Sequence, residues 1–167
     1  MNYLDIMPTI QGSKILVTGP QRSGTTICAK ILAHDLGYNF YTEEHINISS
    51  FEAAKKMVET QDKFVLQCPA ICHVIHELDA TIIMVSRPVH EIVASEARIG
   101  WQGERQNELK KYNRSNGIIS LVKYQAWYTW QKALCKESYE IDYHSLDSHE
   151  LWVSIEKRHG FGKRQTS

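Results

Sequence analysis

Lys14-Ile15-Leu16-Val17-Thr18-Gly19-Pro20-Gln21-Arg22-Ser23-Gly24-Thr25-Thr26 is the stretch whose reading decides the fold. Residues 14–18 form a short apolar run that ends at a glycine, as a strand buried in a parallel sheet requires. Gly19 and Gly24 then remove the side chains that would block a loop from wrapping an anion with successive backbone amides. Beyond Gly24 the apolar residues Ile27, Ile31, Leu32 and Leu36 recur at helical spacing, and Gly37 supplies a C-terminal cap. A helix that starts at the end of such a loop turns its positive dipole end towards the anion. Strand, loop and helix in this order predict a phosphate-binding loop over Gly19–Thr26.

The loop departs from the common nucleoside-triphosphate pattern at one place. That pattern is G-x-x-x-x-G-K-[ST]. Here the glycine spacing is kept and Thr26 stands at the hydroxyl position, but Thr25 stands where the lysine belongs. The cation of the loop is Arg22, two residues before Gly24. A kinase or ATPase loop without its lysine loses a contact to the transferring phosphates.

Working outward, Tyr38–Thr42, Lys63–Gln67, Thr81–Val85 and Tyr139–Tyr143 read as further strands. Helices are predicted from a capping box at Ser49-Ser50-Phe51-Glu52 to about Glu59, from Pro69 through Leu78, after Ser86-Arg87-Pro88 to about Ile99, over Ile118–Cys135, and from Ser148 to about His159. Residues 100–117 are polar and glycine-containing, the composition of a lid. Strands alternate with helices almost throughout, the pattern of an α/β fold: a three-layer α/β/α sandwich with a mainly parallel sheet. Residues 1–167 are expected to form a single domain. Ligands in such folds sit at the carboxyl ends of the strands. The loops after Thr18, Thr42, Gln67, Val85 and Tyr143 are therefore expected to line the site.

Lysine plus arginine equals aspartate plus glutamate at 19 each, which argues against nonspecific nucleic-acid binding. Met1–Pro8 has no basic segment followed by an apolar one, so no signal peptide is expected, and no apolar run approaches a membrane span. Cys28, Cys68, Cys72 and Cys135 form no dense framework, so reduced thiols and a cytoplasmic location are expected. Cys68, Cys72, His73 and His76 lack usual zinc spacing; Cys72 and His76 would share a helix face, and a buried helix carrying two thiols is expected there. Trp127, Tyr128 and Trp130 are expected in core and interface positions.

Arg-Ser-Gly-Thr-Thr at 22–26, following a strand, resembles the 5′-phosphosulfate loop of sulfotransferases. A second match comes where the strand Thr81–Val85 runs into Arg87 and Ser95 lies eight residues later. In that family this pair binds a 3′-phosphate. A guanidinium at a strand end can indeed fork onto a phosphate, and a serine two turns into the next helix can face the same anion. Weaker similarity covers Glu140–Leu146 and Leu151–Phe161. The chain is short for the family, and the family's late Arg-Lys-Gly motif is absent, with Lys163 and Arg164 as substitutes.

The resemblance implies a P-loop enzyme that moves a sulfonate from 3′-phosphoadenosine 5′-phosphosulfate to a hydroxyl or amine, without a metal. It implies donor contacts from Gly19, Arg22, Ser23, Gly24, Thr25, Thr26, Arg87 and Ser95. Arg22 would stabilise the leaving phosphate. Glu43, Glu44 and His45 follow the second strand and are the candidate bases. The alternative is a nucleotide or small-molecule kinase with an atypical loop, its lid carrying Arg98, Arg105 and Arg114, or a non-catalytic nucleotide-binding module. The acceptor is open, and a second copy of the chain could complete the site.

Overall fold

A computed structural model describes residues 1–44, 51–98 and 117–152. Five strands form a sheet among these residues: β1 (Lys14–Thr18), β2 (Asn39–Thr42), β3 (Phe64–Gln67), β4 (Thr81–Ser86) and β5 (Glu137–Asp142). Their order is β2-β3-β1-β4-β5, and every pairing is parallel. The helices are α1 (Tyr3–Ile6), α2 (Thr25–Leu36), α3 (Phe51–Thr60), α4 (Val89–Arg98) and α5 (Ile118–Ala126). A π-helical stretch, Trp127–Gln131, joins α5 to α6 (Lys132–Leu134).

β1 is apolar throughout because both its faces are covered. Ile15, Leu16 and Val17 are fully buried, and burial of each such side chain contributes about 1.5–3 kcal/mol. Successive residues alternate between two cores. Leu16 joins Leu66 and Met84 under Met57 of α3 and Trp127. Ile15 and Val17 join Ile83 and Val85 against Ile31 and Leu32 of α2 and Ile6 of α1. The sheet thus lies between two layers, as the alternation of strands and helices predicts. Gly37 closes α2 as expected, at φ 71°, with its N–H directed to the Ala33 and His34 carbonyls.

After β1 the chain builds β2 and β3 on one side of it, then crosses to β4 and β5 on the other. Such a switch opens a crevice at the carboxyl ends of the two central strands. The loop beginning at Gly19 leaves β1 there, and Arg87 follows β4 on the far side of the crevice.

Three local features differ from the sequence expectation. Residues Pro69–Glu77 form a 3₁₀ helix broken at Ile71, where φ and ψ are −104° and 19°. In a three-residue repeat, positions four apart fall on different faces. Cys72 is accordingly buried, while His76 turns its Nδ1 to Gln131 Nε2 at 3.1 Å. The long helix after Gly117 carries a π turn that buries both Trp127 and Gln131. Finally, α1 has no periodicity to announce it; the Asn2 side chain caps it by accepting from Leu4 N at 2.9 Å.

His45, the start of the capping box at Ser49-Ser50, Arg105, Arg114, Lys163 and Arg164 lie outside the described residues.

Candidate functional site

The loop between β1 and α2 is held in shape by its own backbone. Ser23 is fully buried, and its hydroxyl donates to the Pro20 carbonyl at 2.6 Å. The Ser23 amide donates to the same carbonyl at 3.2 Å. Ser23 therefore shapes the turn from within. Gly24 has φ 98° and is the N-cap of α2, with no side-chain cap. A Cβ there would lie 2.3 Å from Cδ1 of Tyr143. At Gly19, with φ 148°, a Cβ would meet Ser23 Oγ at 2.9 Å and the Val85 carbonyl at 3.1 Å. Both glycines are required by the close approach of neighbouring groups as well as by backbone angle.

The two threonines divide. Thr25 is buried, and its hydroxyl accepts from Gln67 Nε2 at 3.1 Å, which ties α2 to the end of β3. Thr26 is exposed on the first turn. The position that holds lysine in a triphosphate loop is thus spent on packing.

Arg22 sits at the turn of the loop in left-handed backbone conformation, φ 66°. Its Nε donates to Ser95 Oγ at 3.0 Å. Its carbonyl accepts from Arg87 Nη1 at 2.9 Å. The three residues singled out from two separate motifs therefore meet. Arg87 is fixed on several sides: Nε faces Glu91 Oε1 at 3.4 Å, and the guanidinium lies 4.1 Å from the centre of the Tyr143 ring. The backbone N–H of Arg87 donates to Tyr124 Oη at 3.1 Å. Ser95 itself is almost fully buried.

Partial burial, then the guanidinium groups of Arg87 and Arg98, lower the pKa of Arg22; Tyr143 and Glu96 act the other way. Arginine stays charged regardless. Positive charge is therefore concentrated at the loop, and an anion would relieve the mutual repulsion. Arg98 belongs to this group, although its sequence position placed it with the lid. Glu91, Ser95 and Arg98 follow one another at helical spacing along one side of α4, in line with Arg87 just before it. Tyr143 was also not singled out. It lies just past β5, packs on Gly24 and Arg87, and meets Trp152 edge-on with centroids 5.0 Å apart. Beside it opens a cleft of about 490 Å³ lined in part by Arg87, Tyr124, Tyr128 and Asp142.

On the other flank, Glu43 follows β2 and is half-buried, while Glu44 is exposed. Glu43 Oε2 accepts from the Ala70 amide at 3.0 Å. Burial pushes the Glu43 carboxyl up; the Ala70 N–H and the Lys123 ammonium oppose that, and Glu44 adds to it. Of the two described candidate bases, Glu43 is the one directed inward. Burial raises the thiols of Cys68 and Cys72 well into their neutral form. No group of three or more His, Cys, Asp or Glu side chains is arranged to hold a metal ion among the described residues. Trp127 is core, as expected, whereas Trp130 is half-exposed and packs edge-on to His76. No helix among the described residues is long and apolar enough to cross a membrane.

No protein-family model matches the chain, and no curated protein sequence matches it. Solved structures do. Shikimate kinase from Acinetobacter baumannii, in complex with shikimate, superposes with a TM-score of 0.54 at 12% identity, over 88% of this chain and 95% of that one. Shikimate kinase from Bacteroides thetaiotaomicron superposes with a TM-score of 0.51 at 11% identity, over 93% and 99%. At these identities the likeness shows the fold alone: a five-stranded parallel sheet with flanking helices.

Proposed function

We propose that this chain is a group transferase whose donor is a phosphorylated nucleotide and whose acceptor is a small molecule. The observation that carries this is the meeting of Arg22, Arg87 and Ser95 at the mouth of the Gly19–Thr26 loop. One anion would take the loop amides and the start of α2. A second would take Arg87, Arg98 and Ser95, with the nucleoside in the cleft beside Tyr143.

Two donors fall within this class. Phosphoryl transfer from ATP is supported by the fold shared with shikimate kinases and by Thr26, an exposed hydroxyl at the position that meets magnesium in triphosphate loops. Sulfonate transfer from 3′-phosphoadenosine 5′-phosphosulfate is supported by the cations. The loop offers Arg22 in place of the lysine that a kinase loop carries, and Arg87 with Ser95 suits a 3′-phosphate that ATP lacks. In that chemistry the acceptor oxygen or nitrogen bonds to sulfur as the sulfur–oxygen bond to the 5′-phosphate breaks. Arg22 would take up the charge that grows on the departing phosphate, and Glu43 the acceptor's proton.

Thermal shift with the full chain separates the two. Adenosine 3′,5′-bisphosphate raising the melting temperature more than ATP with magnesium supports the sulfonate donor. The opposite order supports the kinase. Stabilisation by neither removes nucleotide transfer altogether. A labelled-sulfonate and labelled-phosphate transfer screen over hydroxyl and amine acceptors then distinguishes an enzyme from a binding module.

A further inference from the structure

We propose that Lys123 is a positioning residue for Glu43, and that the two, anchored on the adjacent residues Pro69 and Ala70, form a charge-coupled acid–base unit on the acceptor side of the Gly19–Thr26 loop. The inference rests on the reading of Glu43 as the acceptor base. It assigns a role to a residue that no motif marks, on a helix distant in sequence from the loop.

The Pro69–Ala70 turn brings the two together. The Ala70 amide donates to Glu43 Oε2 at 3.0 Å. The neighbouring Pro69 carbonyl accepts from Lys123 Nζ at 3.4 Å. Consecutive residues of one turn thus hold a carboxylate arriving from the end of β2 and an ammonium arriving from α5. The same turn is tied to the base of the loop: Thr18, the last residue of β1, donates from Oγ1 to the Cys68 carbonyl at 3.1 Å. Cys72, further along the 3₁₀ helix that Pro69 and Ala70 begin, lies against Thr18 and the Gly19 amide. Any shift of the turn is therefore felt at the first glycine of the loop.

The placement fits a reaction with two sides. Arg22, Arg87 and Ser95 gather where β1 faces β4. Glu43 and Lys123 gather at the opposite flank, at the carboxyl ends of β2 and β3. The loop lies between, so a donor anchored by the arginines would present its reacting group towards the carboxylate.

Charge balance explains the lysine. Glu43 is half-buried, a setting that favours the neutral acid. The groups acting on it are the Ala70 N–H and Lys123, which favour the carboxylate, and Glu44 beside it on the same turn, which disfavours it. Cys68 interacts with Glu43, and Cys72 lies next to Cys68; both are buried thiols held neutral, so neither adds charge. Burial still holds the Glu43 carboxyl above its usual range; Lys123 is the cation that opposes that push, and the Pro69 carbonyl accepts from Lys123 Nζ.

The test is a titration of the Glu43 carboxyl by ¹³C NMR in the full chain, the resonance being assigned with Glu43→Gln. In Lys123→Met the midpoint should rise by about one pH unit, the effect of losing one nearby opposite charge. Lys123→Arg should restore it. Lys123→Gln serves as the second neutral variant if the methionine variant is unfolded. An unchanged midpoint in a folded neutral variant overturns the pairing, because a merely structural lysine would lower stability without moving the titration. If the midpoint moves yet folded Glu43→Gln transfers the group at the wild-type rate, Glu43 is not the base and the proposed role falls with that reading.

Discussion

Arg22 and Ser95 lie 73 positions apart in the chain and are joined by a 3.0 Å hydrogen bond from Nε to Oγ. The bond fixes the cation of the loop from a buried point on α4, while Arg87 holds the Arg22 carbonyl from the end of β4. Both contacts support a backbone that a non-glycine residue adopts at some cost, at φ 66°. Ser95→Ala removes the anchor but keeps the charge. Affinity for adenosine 3′,5′-bisphosphate, measured by calorimetry, should fall about tenfold, the scale of a hydrogen bond to a charged group. Wild-type affinity would mean that Arg22 is oriented without Ser95.

Arg87 is used through its shape as well as its charge. The guanidinium lies on the Tyr143 ring, donates to the loop and reaches Glu91. A lysine keeps the charge and loses the planar fork. Arg87→Lys should weaken adenosine 3′,5′-bisphosphate by about 1–3 kcal/mol and adenosine 5′-phosphate by clearly less. Equal losses for the two ligands would show that Arg87 acts through the loop backbone alone and holds no 3′-phosphate.

Gly24 meets Tyr143 so closely that a methyl group has no room: the added carbon would lie 2.3 Å from the ring. The left-handed backbone at φ 98° adds strain for any other residue. Gly24→Ala should lower stability by about 2–4 kcal/mol in denaturant unfolding. Adding Tyr143→Ala should recover part of that loss, since it removes the clash and leaves only the backbone strain. Strict additivity of the two changes would refute a direct contact.

The fold was legible because β1, β3 and β4 are buried on both faces and so read as nearly continuous apolar runs. The strand–loop–helix order around Gly19 and Gly24 was legible because both glycines punctuate a turn whose backbone takes positive φ. Arg87 and Ser95 were singled out through the sulfotransferase resemblance, and their meeting with Arg22 follows from the pairing of β1 with β4 in the sheet. Arg98 was given to the lid of the kinase alternative, and Tyr143 and Lys123 were given no role, because the neighbours of all three are set by tertiary contact. A signal existed for Arg98, three residues past Ser95 on the same helix, and for Tyr143, at a strand end of the kind that lines such sites. Lys123 had none, since nothing in its neighbourhood points to a turn at Pro69. The 3₁₀ form of Pro69–Glu77 was hidden for a similar reason: its apolar content fits either helix, and the break at Ile71 decides.

Asp35 links three segments and gives the molecule a pH-dependent contribution to stability. Its Oδ2 accepts from the Tyr3 hydroxyl at 2.7 Å, and His149 Nε2 lies 3.0 Å from Oδ1. Tyr3 is almost fully buried, so the contact anchors α1 on α2. Partial burial alone would raise the Asp35 carboxyl, but the Tyr3 and His149 hydrogen bonds and the histidine charges outweigh it and hold the group below its usual value. A depressed folded value means that the unfolded chain binds the proton more readily. The stabilisation is therefore present above the unfolded value of about 3.9 and is lost as pH falls through the folded one. Asp35→Asn keeps the shape and removes the charge. It should destabilise the protein by about 1–2 kcal/mol at pH 7, with an undiminished gap at pH 6 and a narrowing one in increasingly acid solution. Denaturant unfolding of both proteins across this range checks it. A gap that stays constant into acid would show that the carboxylate charge is not what joins α1 to α2.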